Sequence, residues 1–573
     1  MKRADLLSSA GAIVTIAAMA MAAMVGIHVA SGRAGVTAPV TWNPVEYAWG
    51  ALTREISLPT GWILWVSVFV ALVVALFAGA LLSWTRLARR FAGTRLARRF
   101  AGSTRGRKQE TDAGFVDGRD LRQRVEGGRD VGTTAPYGYV DRKPVAARTE
   151  DTAAVVAPPR MGKTTRIAVG RTLAAEGACA VTTTKPDIVR LTALVRAAVG
   201  QVLVFDPEGV MSWPDPVKWN IVAGCEDSSE ASRRAGAIIA ARPAGNESNG
   251  GFFKEAAETV LRALLHAAAL GGHSMRDVMT WMRDFENDTP YDILKTHLGA
   301  ATGWESDLRK FCRSEARETV DSTDMSVRLT LSAFANEHVL DAVCPLPDEP
   351  TIDPTTFHAS TDTLYLLSES GEGALSAPVI TALVRSIEHA ARKAGGRTKS
   401  GRLDPVLTLI LDEVANVAPI PTLPSLMSDG GGRGIVTWAF AQSRSQLRDK
   451  WGRDGAETIL NSAAIQIVLG GVKDTDYLEE ISKLCDEREV QRTSETASQQ
   501  GTSTNTSTAR ERVMPIARIR QLPEGEGLLL YRELPAAIVA LPGWWETDFE
   551  KACKASELWS LAREGLLVEE GGE

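Results

Sequence analysis

The sequence predicts an α/β fold: a mostly parallel sheet with helices on both faces, interrupted by an all-α insertion and preceded by two transmembrane helices. Three observations predict it. Aliphatic, β-branched runs at 152–156, 178–183, 201–205, 363–367, 406–411 and 435–441 alternate with helix-length segments, and that alternation builds parallel sheets covered on both sides. Between the third and fourth runs lies a long stretch, roughly residues 225–345, with helical but no strand periodicity. Ahead of all of them, Ala10–Ala30 is a charge-free run of 21 residues and Gly61–Ser83 another of 23.

Taken in order, each of those first two runs is long enough as a helix to cross a hydrocarbon core of about 30 Å. A cleaved signal peptide explains the first run but not the second. Trp62, Trp65 and Trp84 stand near the ends of the second, where membrane interfaces favour them. Lys2 and Arg3 precede the first run; behind the second, Thr85-Arg-Leu-Ala-Arg-Arg-Phe-Ala-Gly93 repeats residue for residue as 94–102. The intervening loop, 31–60, carries only Arg33 and Arg54 as basic residues. The positive-inside rule then gives a two-pass anchor (1–84) in the inner (plasma) membrane with both termini cytoplasmic. The doubled basic segment suits anionic membrane lipid better than nucleic acid, since it abuts the span. Together with the polar Gly/Arg/Asp-rich residues that follow, it makes a juxtamembrane segment and linker, 85–144.

Residues 1–108 hold 13 Lys/Arg against 3 Asp/Glu, while the rest of the chain holds 51 against 67. A strongly acidic soluble portion argues against a protein that coats DNA, though not against DNA handled in a narrow channel. The six cysteines are scattered without a C-x-x-C pair and fall on the cytoplasmic side, so free thiols are expected. The seven histidines form no H-E-x-x-H or other cluster, and no transition-metal site is expected.

A phosphate-binding loop follows the 152–156 run. Ala157-Pro158-Pro159-Arg160-Met161-Gly162-Lys163-Thr164 joins a strand to a helix, the setting in which backbone N–H groups and a helix N-terminus face a triphosphate. Residues Pro158 to Thr165 are the candidate nucleotide ligands. Lys163 would neutralise the β- and γ-phosphates of ATP, and the Thr164 hydroxyl would coordinate Mg2+. Ala157 stands where G-x-x-x-x-G-K-[ST] has its first glycine; alanine fits there provided the backbone is not left-handed. These elements form the first part of the nucleotide-binding domain, 145–224, whose next two strands end at Lys185-Pro-Asp187 and Asp206-Pro207.

The all-α insertion is read over 225–345, with helices at 228–241, 251–270, 275–283, 290–298 and, with breaks, 305–336. His266, on an amphipathic stretch, reads as a packing residue. The second part of the nucleotide-binding domain, 346–552, contains the strand Val406–Leu411 ending in Asp412-Glu413. One carboxylate, Asp412, suits the Mg2+ shell and its neighbour, Glu413, activation of the attacking water. The Gly-rich turn 428–434 carries Arg433, a candidate arginine finger for a neighbouring subunit. Gln442, at the end of the next strand, is placed either to sense the γ-phosphate and its water or as an ordinary polar strand end. Thr493–Ala509 is Ser/Thr/Gln-rich without apolar period and reads as a disordered loop. Runs at 527–531 and 536–541 read as closing strands, and 553–573 as a C-terminal tail.

At this point the chain resembles the coupling proteins of bacterial conjugation and type IV secretion. The resemblance rests on the two spans, A-P-P-R-M-G-K-T, T-K-P-D at a strand end, L-D-E-V-A-N-V-A-P-I-P-T-L at 411–423, G-G-G-R-G-I-V-T-W-A-F-A-Q-S at 430–443 and A-E-T-I-L-N-S-A-A-I-Q-I-V-L-G at 456–470. It implies a membrane-anchored, RecA-like ATPase that assembles as a homo-hexamer, receives DNA with its relaxase, or protein substrates, and delivers them to a type IV secretion channel. By position it makes Lys163 and Thr164 phosphate and Mg2+ ligands, Asp412 an Mg2+-shell ligand, Glu413 the catalytic base and Gln442 the sensor. Two other classes remain to be weighed. A chromosome-type membrane DNA translocase usually ends in a winged-helix domain, for which too few residues follow Tyr531. A membrane scaffold with a dead nucleotide fold would lack Lys163, Asp412 or Glu413, and all three are present.

Overall fold

In a computed structural model the described residues are 115–126, 135–241, 250–313, 315, 317–369, 375–498 and 501–567. The expected membrane spans, the doubled basic segment and the orientation drawn from them lie outside the described residues; among the described ones no helix is long and apolar enough to cross a membrane.

Eleven strands form one sheet: β1 (Gly138–Val140), β2 (Lys143–Val145), β3 (Ala153–Val156), β4 (Cys179–Thr183), β5 (Val202–Phe205), β6 (Thr363–Leu367), β7 (Leu407–Leu411), β8 (Ile435–Ala441), β9 (Ile465–Leu469), and the two late strands Glu526–Tyr531 and Ala537–Ala540. A separate hairpin pairs β10 (Glu487–Ser498) with β11 (Gly501–Arg512), so the late strands are β12 and β13. The order is β2-β1-β13-β12-β9-β3-β8-β7-β4-β6-β5. From β9 to β5 every pairing is parallel, whereas β12, β13, β1 and β2 extend the β9 edge antiparallel.

Alternation along the strands sorts the core into two faces, as a period of two requires. Ala154, Val156, Ala180, Leu409 and Leu411 belong to one apolar cluster, and Ala153, Val155, Val181 and Ile410 to the other. The second face carries the helical segment after the phosphate loop, a π turn Thr164–Ala168 continued by Val169–Leu173, together with the helix Asp187–Ala197. The first face carries the helix Ala377–Gly395 and the insertion. Helices Ser228–Ala240, Gly250–Gly271, Met275–Arg283, Thr289–Thr296, Trp304–Cys312, Arg317–Thr330 and Glu337–Ala342 follow one another along the chain between β5 and β6, with no strand among the described residues there. Val260, Leu261 and Leu264 of the insertion bury in the same cluster as Val379, Ile380 and Leu383, so these helices share the sheet's core instead of closing a separate one. His266 is fully buried, Nδ1 on the Cys225 carbonyl at 2.7 Å and Nε2 accepting from Ala301 N–H at 3.0 Å, a packing role as expected.

Four expectations need correction. The linker is structured near its end: the helix Gly118–Glu126 buries Leu121 and Val125, and β1 joins the sheet edge against Ala540. Two apolar residues four apart are too sparse a signal to mark that helix in sequence. β9 was not foreseen as a strand, although its Ile-Gln-Ile-Val-Leu run is buried throughout. The Ser/Thr-rich segment is no disordered loop but the β10–β11 hairpin, in register from Glu487↔Arg512 to Ser498↔Gly501; repeated threonines favour extended backbone without any apolar period. The expected C-terminal tail begins inside the helix Glu550–Arg563, which docks on Asp187–Ala197 through the bidentate Arg190–Glu564 pair at 2.8 and 2.7 Å.

Candidate active site

The ends of β3, β8 and β7 lie side by side at the carboxyl edge of the sheet, with β8 in the middle. Neighbouring strands are about 4.8 Å apart, so the residues leaving these three strands lie within side-chain reach of one another. After β3, Ala157 is buried and its N–H donates to the Ala441 carbonyl at 3.0 Å, prolonging the strand pairing. The left-handed positions of the loop are Arg160 (φ 65°) and Gly162 (φ 79°). Alanine at 157 therefore carries no conformational penalty; the strain sits at Arg160 instead, where a residue with a Cβ costs about 1–2 kcal/mol.

Lys163 opens the following helical turn and is almost fully buried. Its Nζ makes no hydrogen bond; the closest carboxylate oxygens are Glu413 Oε1 at 3.8 Å and Asp412 Oδ1 at 3.9 Å. The Thr164 hydroxyl donates to Asp412 Oδ2 at 2.7 Å. Asp412 also accepts the Glu413 N–H at 3.0 Å, while its carbonyl takes the Thr182 hydroxyl at 2.9 Å. Burial pushes the Asp412 carboxyl above the usual range; Lys163 and Thr164 oppose that shift, and the neighbouring Glu413 charge adds to it. Glu413 sits in the left-handed region, φ 51° and ψ 45°, a strained setting of the kind that collects at working sites. Gln442 donates from Nε2 to Glu413 Oε1 at 3.1 Å, and its own N–H is held by Gln446 Oε1 at 3.2 Å.

Lys163, Thr164, Asp412, Glu413 and Gln442 thus form one connected group. Thr165 closes the loop by donating to the Gly162 carbonyl at 3.4 Å. Pro158 and Met161 pack beside Gly471, where an added Cβ would come within 3.1 Å of the Pro158 ring. Pro159 and Arg160 are exposed on the loop. Arg433 is not in this group. It precedes β8 and so stands at the opposite, amino edge, where its Nε binds Asp429 Oδ2 at 3.0 Å. Asp429 also takes Arg392 at 2.9 Å, and Arg392 in turn binds buried Glu388. Sequence reasoning missed Gln446, Thr182 and Gly471. The only signal for the first was its spacing of four from Gln442 on the helix Arg444–Ser462.

These residues fit a nucleoside triphosphate with a divalent cation. A buried ammonium without a hydrogen-bond partner, at the start of a helical turn, suits an anion, and a hydroxyl paired with a carboxylate offers the hard oxygen ligands that Mg2+ prefers.

Residues 406–524 match the family described as "TraM recognition site of TraD and TraG". Among solved structures, the unbound monoclinic form of the bacterial conjugative coupling protein TrwBdeltaN70 is similar at 19% identity and TM-score 0.56, over 74% of this chain and 92% of that one. TrwB in complex with ADP and Mg2+ matches at 20% identity and TM-score 0.55, covering 75% and 93%. TrwB with the non-hydrolysable ATP analogue ADPNP matches at 19% and 0.55, covering 75% and 92%. No curated protein matches the chain. The described α/β sheet is the fold of these coupling-protein structures.

Proposed function

We propose that this chain, a member of the type IV coupling protein family, hydrolyses ATP to drive a relaxase–DNA complex, protein substrates or both into a type IV secretion or conjugation channel. The observation that carries the reading is the connected group Lys163–Thr164–Asp412–Glu413–Gln442 at adjacent strand ends. The TrwB structures that hold ADPNP, or ADP and Mg2+, support ATP and Mg2+ as the ligands.

Residue by residue, Lys163 binds the β- and γ-phosphates and the loop N–H groups after Pro159 cradle them. Thr164 and Asp412 would hold Mg2+, which when bound offsets phosphate charge and orients the terminal phosphoryl group. Glu413 accepts the proton of the attacking water. Gln442, already on Glu413 Oε1, positions that water and registers the γ-phosphate. Arg433, half-exposed and at the opposite end of β8, would serve a neighbour's site in a homo-hexameric ring. The apolar runs 10–30 and 61–83 would anchor the ring in the inner membrane, the doubled basic segment lying on lipid.

The test is phosphate release by the full chain in detergent or bilayer, with and without Mg2+, beside Lys163→Ala. Mg2+-dependent turnover above the Lys163→Ala background is expected; its absence overturns the reading.

A further inference from the structure

The turn Thr183-Thr184-Lys185-Pro186-Asp187 takes no part in the group above, yet it borders it. β4 pairs with β7 in parallel, Thr182 opposite Leu411. Lys185 therefore stands level with the residues just past Asp412 and Glu413, on the flank away from Gln442. The turn is fastened on both sides. Thr182 Oγ1 donates to the Asp412 carbonyl at 2.9 Å. Thr183 Oγ1 donates to the Lys185 carbonyl at 3.0 Å and accepts the Lys185 N–H at 3.2 Å. Pro186 then caps the helix Asp187–Ala197, itself pinned by Arg190–Glu564. On this fixed backbone the Lys185 side chain is exposed, and among the described residues its ammonium has no hydrogen bond or ion pair.

Charge gives such a cation a task. Within the buried group a single ammonium, Lys163, faces two carboxylates, so that group is negative before a triphosphate arrives, Arg160 standing outside it on the exposed loop. Mg2+ offsets only part of the phosphate charge. On the nucleotide reading the terminal phosphoryl group would lie between Lys163 and the water that Glu413 activates, that is, toward β7, whose neighbour is β4. Fixed cations aimed at that group are what transition-state stabilisation in phosphoryl transfer consists of.

We propose that Lys185 contacts the terminal phosphate of the bound nucleoside triphosphate in its own subunit, stabilising it during transfer and holding the inorganic phosphate formed. The inference rests on the nucleotide reading above. In the reaction the water oxygen bonds to the γ-phosphorus, the bond from that phosphorus to the β–γ bridging oxygen breaks, and a water proton passes to Glu413. ADP and phosphate result, and Lys185 keeps its proton throughout.

The experiment compares the full chain with Lys185→Met and Lys185→Arg. It measures affinity for a non-hydrolysable ATP analogue and for ADP, kcat, and inhibition by inorganic phosphate. For Lys185→Met, kcat and analogue affinity should fall about ten- to hundredfold, phosphate should inhibit less, and ADP affinity should stay at the wild-type value. Lys185→Arg should recover part of the loss. Wild-type analogue affinity, kcat and phosphate inhibition in Lys185→Met would overturn the contact. Parallel loss of ADP binding would show a role in shaping the whole site, and Lys185→Arg as poor as Lys185→Met would show that charge is not the cause; either overturns the proposal. A wild-type chain that bound neither nucleotide would remove the nucleotide reading and this inference with it, an outcome recognisable before any Lys185 variant is made.

Discussion

The two edges of the central sheet are built differently. At the carboxyl edge a lysine, a threonine, two carboxylates and a glutamine from three strand ends touch one another, with Lys163 and Asp412 nearly fully buried. At the amino edge Arg433 is paired to Asp429, and both side chains remain nearly half exposed. Burial makes the first group costly to leave unpaired and strong once a ligand completes it; the second stays solvated and free to exchange partners. The chain therefore gathers its proposed catalytic group at one edge and holds, at the other, a guanidinium remote from that group.

The largest effects should come from the buried edge. Glu413→Gln should leave ATP binding intact and lower turnover by about 10²–10⁴, because water activation is lost while Lys163, Thr164 and Asp412, the proposed phosphate and Mg2+ ligands, are all kept. Lys163→Ala should instead weaken nucleotide binding itself. Titration with a fluorescent nucleotide beside steady-state phosphate release separates the two. Turnover at the wild-type rate in Glu413→Gln would assign the base elsewhere and erase the contrast between the edges.

Next in size is the exposed edge. Arg433→Ala should bind ATP as tightly as wild type, since the residue is remote from its own phosphate loop, yet hydrolyse it more slowly once subunits assemble. Mixing it with inactive Lys163→Ala should restore part of the turnover, because each subunit supplies what the other lacks. No recovery at any ratio, with mixed rings demonstrated by crosslinking, would count against a finger in trans. The arginines at this edge also hold the Asp429 carboxyl below its ordinary value of 3.8, outweighing a burial that pushes it upward. A carboxyl lowered on folding contributes stability that is present above that ordinary value and lost as pH falls through the lowered one, so acid should loosen the Gly-rich turn.

The insertion sharpens the same lesson. Its helices bury Val260, Leu261 and Leu264 in one core with the sheet, so deletion would uncover apolar surface and test only folding. Exchange with the matching segment of a relative keeps that surface covered. It should change which cargo is transferred while basal hydrolysis survives; unchanged selectivity in a transfer assay would place recognition elsewhere. A smaller effect is expected at the C-terminal helix. Arg190→Ala leaves the Glu564 carboxylate buried without its partner and should lower stability by about 1–3 kcal/mol, seen as a lower melting temperature with little change in nucleotide affinity.

How much of this was legible follows from where the signal lies. The six parallel strands foreseen, and Lys163, Thr164, Asp412, Glu413 and Gln442, were readable because a fully buried strand is a continuous apolar run and a phosphate loop has fixed spacing. β9 escaped because Gln466 interrupts its apolar run, its amide being satisfied by the Tyr477 hydroxyl at 2.9 Å, a partner visible only in three dimensions. Thr182 and Gly471 act through contacts between distant parts of the chain, and no residue pattern announces those; Gln446 offered only its spacing of four from Gln442. The left-handed backbone of Glu413 and Arg160 was equally hidden, since neither residue type marks that conformation.

The smallest effect is expected where the sequence looked least like a site. Among the described residues the β10–β11 hairpin pairs only with itself, and residues 487–512 hold four arginines and four glutamates. With no net charge it offers no general grip on a phosphate backbone. Its base is fastened to the helix Thr475–Leu484 by the bidentate Arg512–Glu479 pair at 2.7 and 2.6 Å, and the chain leaving it by Val513 N–H on the Asp486 carbonyl at 3.1 Å. Replacing 490–509 by a two-residue Asn-Gly turn keeps that base and shortens the ribbon. Basal hydrolysis, nucleotide affinity and melting temperature should all remain at wild-type values, because Lys163, Thr164, Asp412, Glu413 and Gln442 pair with one another. A loss of hydrolysis in the shortened chain, with the Arg512–Glu479 base intact, would mean that the hairpin reaches a site in an adjoining subunit. The exposed parts of this molecule would then contribute to catalysis on the same terms as the buried ones.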